Sequence, residues 1–156
     1  MRVYLPATLD ETAPGDGVPA PGPLAPRRAH AVTADLRRAL PDEDDEGLEF
    51  SAQLAAADDS LVRLAARPGA PRLRLVVSAD VPDGAVDLRP DPDAPPSAVA
   101  VVAPVTWDAV VCVHVDEPEA VPDVVAALAG DSAADERLDE RDLLWYDATE
   151  VDDIPR

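Results

Sequence analysis

Apolar and polar positions along this chain fall into short alternating runs, interrupted by helical stripes and by proline-rich breaks. The most β-prone run is AVAVVAPVTWDAVVCVHVD, Ala98 to Asp116. Its valines suit a pleated, half-buried surface. Pro104 cannot donate to a sheet ladder, so the run predicts two strands, 98–103 and 108–115, with a turn through Pro104–Trp107. Strict alternation in the second strand puts Ala109, Val111, Val113 and Val115 on one face and Val110, Cys112 and His114 on the other. Both faces are mainly apolar, which places this pair of strands at the middle of the core.

Four further strands are expected. Arg2–Leu5 alternates and is stopped by Pro6, and Arg27–Val32 reads as a short edge. In Arg72–Ala79, Leu73, Leu75, Val77 and Ala79 face in, while Arg72, Arg74 and Ser78 lean out. Asp142–Ala148 is the last strand, with Leu143 and Trp145 opposite Leu144 and Tyr146. Helical spacing predicts a short helix capped by Thr33 and running to about Leu40. The longest helix is expected over Leu48–Arg67, burying Phe50, Leu54, Ala57, Leu61 and Leu64. A third helix begins near Glu119, buries Val121, Val124, Val125 and Leu128, and ends at Gly130.

This order predicts an α+β, two-layer sandwich. A largely antiparallel sheet of four to six strands would carry its helices on one face, with a split β-α-β, ferredoxin-like tendency. The chain reads as a single domain over 1–150 with a proline-rich loop at 13–26 and a frayed acidic tail at 151–156.

Charge narrows the choice of partners. The net charge is -19, and all 13 basic residues are arginine. Such acidity repels phosphate backbones and anionic membrane surfaces, so neither nucleic acid nor membrane is expected as a partner. The lack of lysine and asparagine is a composition typical of GC-rich genomes. One cysteine, Cys112, excludes an internal disulfide. Without a membrane-length apolar run or a signal-peptide pattern, a cytoplasmic location is expected.

Chemical motifs are sparse. Cys112 and His114 share a strand face and, with His30, are the only thiol and imidazoles for a soft metal site. A core cysteine with a satisfied histidine accounts for them as well, so no metal or other cofactor is expected. A Cys–His nucleophile pair is disfavoured, since side chains two apart on a strand sit about 7 Å apart. The run Asp42–Glu46 lacks the spacing of a calcium loop and suits a helix start. Phosphate-loop, nucleophile-elbow and zinc-helix patterns are absent.

Three segments carry a family resemblance: MRVYLPATL (Met1–Leu9), VCVHVDEPEA (Val111–Ala120) and LLWYDATE (Leu143–Glu150). Together they resemble a small actinobacterial family of unknown function. The resemblance implies an actinobacterial, intracellular source and carries no activity.

The expected role is therefore protein interaction rather than catalysis, with no catalytic residue assigned. The partner would carry a basic surface. Trp145 and Tyr146, adjacent aromatics on opposite strand faces, are the candidate contact surface. The alternative is a small-ligand protein or enzyme with a pocket between sheet and helices, drawing on Tyr4, His30 and His114.

Overall fold

The computed structural model describes residues 1–13, 21–88 and 93–155. Residues 14–20, half of the predicted proline-rich loop at 13–26, therefore lie outside the described residues. The strands are β1 (Arg2–Ala7), β2 (Arg27–His30), β3 (Leu75–Asp80), β4 (Val86–Asp87), β5 (Ala98–Val101), β6 (Val110–Val115) and β7 (Leu144–Asp147). The α-helices are α1 (Ala34–Ala39), α2 (Asp45–Ala65), α3 (Val121–Leu128) and α4 (Ser132–Asp139). The fold class is α+β.

The seven strands form one sheet in the order β4-β5-β2-β1-β3-β6-β7. Every neighbouring pair is antiparallel. β2 and β3 therefore run parallel to each other, with β1 between them, and are joined through α1 and α2. The strand number exceeds the four to six expected because β4, a two-residue strand in a stretch read as a loop, is added at one edge.

The predicted central pair is not a pair. β5 and β6 are separated by β2, β1 and β3, and the middle position belongs to β1. Valine density reported the burial of most of the run, Val102 and Val111 excepted, but not adjacency. Strand order is decided by which edges the connections can reach, and that is not written into any one strand.

The helices lie on one side of the sheet. α2 packs its Leu48, Ala52, Ala56 and Ala57 on Tyr4 of β1 and Val76 of β3. The buried face of α2 follows a four-residue spacing through Leu48, Ala52, Ala56, Ser60 and Leu64. Phe50, expected in the core, is instead half exposed at 49%. Small side chains at 52, 56 and 60 let the helix sit close to the sheet, and that closeness rather than side-chain bulk selects the face. Ser60 pins the contact by donating to the Ala7 carbonyl at 2.7 Å and accepting from the Leu75 amide at 2.9 Å.

Thr33 caps α1 as expected, accepting from the Leu36 amide. α3 buries Val124, whereas Val121 and Val125 are exposed. Gly130 follows α3 with φ +93°, the left-handed conformation that a side chain resists.

The opposite face is the larger core. Val3, Leu5, Leu75, Val77, Val99 and Val113 form its floor. It is closed by 3₁₀ turns and loops rather than α-helices: Leu9, Leu24, Val105, Val151 and Ile154 cover it. Two residues of the segment expected to fray, Val151 and Ile154, thus belong to this core. A 3₁₀ helix over Ala148–Asp153 turns Val151 inward, and Ile154 follows it.

A bulge corrects the expected parity of β6. Ser78 pairs with Cys112 but Ala79 pairs with Val110, so Val111 is the extra residue. Val110 consequently joins Val113 and Val115 in the main core, and Val111 is exposed. Cys112 and His114 remain on the side facing α2.

Candidate functional site

On the α2 side of the sheet, three cross-strand neighbours line up: Tyr4 on β1, Ser78 on β3 and Cys112 on β6. His114 lies two residues further along β6, on the same face. The N-terminal turns of α2 stand over this row and bury it, yet leave space above it. Between helix and sheet is an open cleft of about 550 Å³. Its floor is Tyr4, Ser78, Cys112 and His114, and its helix wall includes Glu49, Phe50 and Gln53.

The local sequence explains the opening. Further along α2, alanines at 52 and 56 close onto Tyr4 and Val76. Before them the helix presents Glu46, Glu49 and Phe50, all exposed, so the packing stops.

The floor is polar and poorly satisfied. Three buried side-chain polar atoms lack a hydrogen-bond partner among the described residues, and two of them lie here: Ser78 Oγ and His114 Nδ1. Ser78 is 1% exposed. A buried hydroxyl without a partner costs on the order of 1–3 kcal/mol. Such orphans are uncommon enough that two in one cleft mark it out. Burial holds the His114 imidazole below its ordinary pKa, which favours the neutral ring. Tyr4 is pushed well above the usual phenol range, first by burial and then by the neighbouring Glu49 carboxylate. At the rim Arg2 forms a two-point pair with Asp80, at 2.7 and 3.0 Å.

The residues anticipated from sequence separate into two places. Tyr4 and His114 share the cleft. His30 does not line it, although it pairs directly with Tyr4 across β1 and β2. It lies under the middle of α2, 1% exposed. Its Nδ1 is 2.8 Å from Ser97 Oγ and its Nε2 is 3.1 Å from Asp59 Oδ2. Asp59 also accepts two bonds from Arg28, both 2.7 Å. Burial raises the Asp59 pKa, but the bonds from His30 and Arg28 outweigh it and hold the group down at about 2.

Cys112 and His114 do share a face as anticipated, but His30 does not join them. Among the described residues no group of three or more His, Cys, Asp or Glu side chains is placed to hold a metal ion.

Trp145 pairs with His114 from β7, the edge strand, and is 57% exposed. Tyr146 points to the other face and packs against the main core. The two aromatics thus have the opposite orientations that adjacency on a strand requires.

Sequence reasoning missed Ser78, Glu49 and the His30 partners. Ser78 had one legible signal: it is the polar residue in a strand whose outward face also holds Val76. That combination marks a face part covered and part open. The Ser97 and Asp59 contacts to His30 had none, because they join residues 67 and 29 positions away.

The fold and cleft together define an α+β protein with a seven-stranded antiparallel sheet and a half-open site between sheet and helix. Residues 1–154 match the model of a family of unknown function, DUF6912, and the chain belongs to that family. No curated protein and no solved structure matches it. Among the described residues no helix is long and apolar enough to cross a membrane.

Proposed function

We propose that this protein is a small-ligand-binding protein whose site is the cleft between α2 and the β1-β3-β6 face. One observation carries the reading: Ser78 Oγ and His114 Nδ1 sit unpartnered at the floor of an open cleft of about 550 Å³. A ligand polar at one end would satisfy both atoms while its body lies against Tyr4 and Phe50. The volume falls in the usual range for small-molecule sites, about 300–1,000 Å³. The proposal assigns no chemical step to the cleft. Cys112 and His114 line it, but on one strand face they are too far apart to share a proton without a bend. The protein is read as cytosolic and actinobacterial, in keeping with its composition and the resemblance of its terminal segments.

The test is a thermal-shift screen of the purified protein against metabolite mixtures, with each hit repeated on S78V. A compound that raises the melting temperature of the wild type and not of S78V supports the site. A screen in which every hit acts equally on both proteins overturns it.

A second reading is favoured by Trp145, exposed on an edge strand. In that reading the protein engages a partner with a basic surface, drawn by the net charge of -19. Pull-down from native lysate at two salt concentrations tests it. A stoichiometric partner lost at high salt and lost in W145A supports it, and equal recovery with W145A rejects the surface.

A further inference from the structure

We infer that the cleft selects a small organic cation, an amine carrying an apolar body, over neutral or anionic ligands. The inference rests on the binding role proposed above and adds the chemical class.

Charge comes first. The α2 wall supplies three carboxylates to the cleft, Asp44, Glu46 and Glu49. Among the described lining residues the one guanidinium is that of Arg2. Its charge is already matched by Asp80 through two hydrogen bonds. The cleft therefore presents an uncompensated negative wall.

The N-terminus of α2 acts the other way, since a helix start carries roughly half a positive charge. It does not prevail here. Three full negative charges exceed that half charge. The helix start is also already served by the protein's own groups, because Asp44 accepts from the Gly47 amide at 2.9 Å.

The floor agrees with the wall. Ser78 Oγ offers lone pairs, and a neutral imidazole can present an unprotonated nitrogen. Both atoms lack a partner among the described residues, so an ammonium with several N–H donors could serve them. The Phe50 ring, 49% exposed at the cleft wall, supplies an aromatic face that attracts a cation or covers an apolar body. An anion would meet the carboxylates without a free cation to answer it. A neutral molecule would fill the floor but gain nothing from the wall.

Three ligands of nearly one shape separate these cases: benzylamine, benzyl alcohol and benzoate. Each is titrated into the ¹⁵N-labelled protein at low salt, following the amides of Gln53, Ser78 and His114. The expected result is saturable shifts with benzylamine, weakened about fivefold by E46Q and again by E49Q, the loss expected for one charge contact near 4 Å in water-like surroundings. Intact amide spectra of both variants exclude unfolding as the cause. If benzyl alcohol or benzoate binds as tightly as benzylamine, the cleft is a site but its selection by charge is wrong. If benzylamine binds and neither Gln variant weakens it, the wall is not the reason and the inference falls. If none of the three moves Ser78 or His114, the binding role falls with it.

Discussion

The Nδ1 of His30 lies 2.8 Å from the Oγ of Ser97. With Asp59 on the other ring nitrogen, the order is hydroxyl, imidazole, carboxylate, which is the order of a nucleophilic triad. Burial separates the two cases. Ser97 is 2% exposed and His30 1%, and unlike Ser78 neither lines the cleft, so a substrate carbonyl has no approach to the hydroxyl. The array is a strut that ties the segment before β5 to β2 and α2. S97A should therefore cost about 1–2 kcal/mol, because the ring nitrogen loses its partner in a buried place. Urea unfolding measures this, and a serine-directed fluorophosphonate should leave Ser97 unlabelled. Labelling at Ser97 would make the array a reactive site instead.

Asp59 gives the strut a pH dependence with a definite sign. Its folded pKa, about 2, lies below the ordinary 3.8. The unfolded chain therefore takes up the proton first as pH falls. The contribution is complete above pH 3.8 and is lost between there and about 2. Its size is on the order of 2 kcal/mol by linkage. Unfolding free energies of wild type and D59N, compared from neutral to acid, should differ at pH 6 and converge only as the pH nears about 2. A constant difference would mean that the Asp59 charge does not set it.

His114 acts in a different window. Burial lowers its folded pKa below the ordinary 6.5, so the unfolded state again binds the proton first. Neutral His114 carries no such penalty above that pH, and stability falls as pH drops below it, until the folded pKa is reached. H114Q removes the titrating group. Wild type should lose stability relative to H114Q as pH falls from about 7 to 5. Thermal unfolding scans of both proteins across that range check the slope, and parallel curves would show that the ring titrates normally.

Arg74 and Asp116 form the most deeply buried ion pair described, with side chains 3% and 0% exposed. The carboxylate also accepts from the Arg74 amide at 2.8 Å, and the guanidinium donates to the Leu138 carbonyl at 2.9 Å. The pair thus joins β3, the end of β6 and α4. Removing one partner strands the other charge, which costs about 3–5 kcal/mol. D116N and R74M should each fall in that range by chemical denaturation. The double variant should recover part of the loss, since no lone charge then remains. Two single losses that simply add would show the partners to be independent.

The sequence made local features legible and left distant ones hidden. The Thr33 cap and the Gly130 stop were readable because each needs only its neighbours. The inward set Leu73, Leu75, Val77 and Ala79 was readable from period-two alternation alone. The face of α2 was readable only in part: Ala57 and Leu64 are buried as expected, but Ala52, Ala56 and Ser60 are chosen for close approach to a sheet that the helix sequence does not contain. The parity of β6 failed at one end, since a bulge at Val111 leaves no mark where two valines stand side by side. For the cleft, Tyr4 and His114 were chosen as polar residues on apolar strands and do meet. His30 was chosen on the same grounds and is spent on Ser97 and Asp59, partners far away in sequence.

The same distinction applies to Val151 and Ile154, which lie in a segment whose acidic composition suggested fraying. Composition counts Asp152 and Asp153 but cannot weigh where Val151 and Ile154 point. The Asp147 side chain starts the turn by accepting from the Thr149 amide at 2.9 Å. The Glu150 carboxylate answers it by accepting from the Asp147 amide at 3.0 Å. That reciprocal cap fixes a 3₁₀ turn which drives Val151 and Ile154 into the main core, 4% and 3% exposed. I154A should therefore lose about 2–5 kcal/mol, the range for emptying a large buried aliphatic position. D152A, on the exposed side of the turn, should stay within about 0.5 kcal/mol of wild type. Amide hydrogen exchange gives a second measure, with Val151 protected in wild type and released in I154A. Equal stability of I154A and wild type would return the segment to the surface and leave the core to be closed by Leu9, Leu24 and Val105 alone.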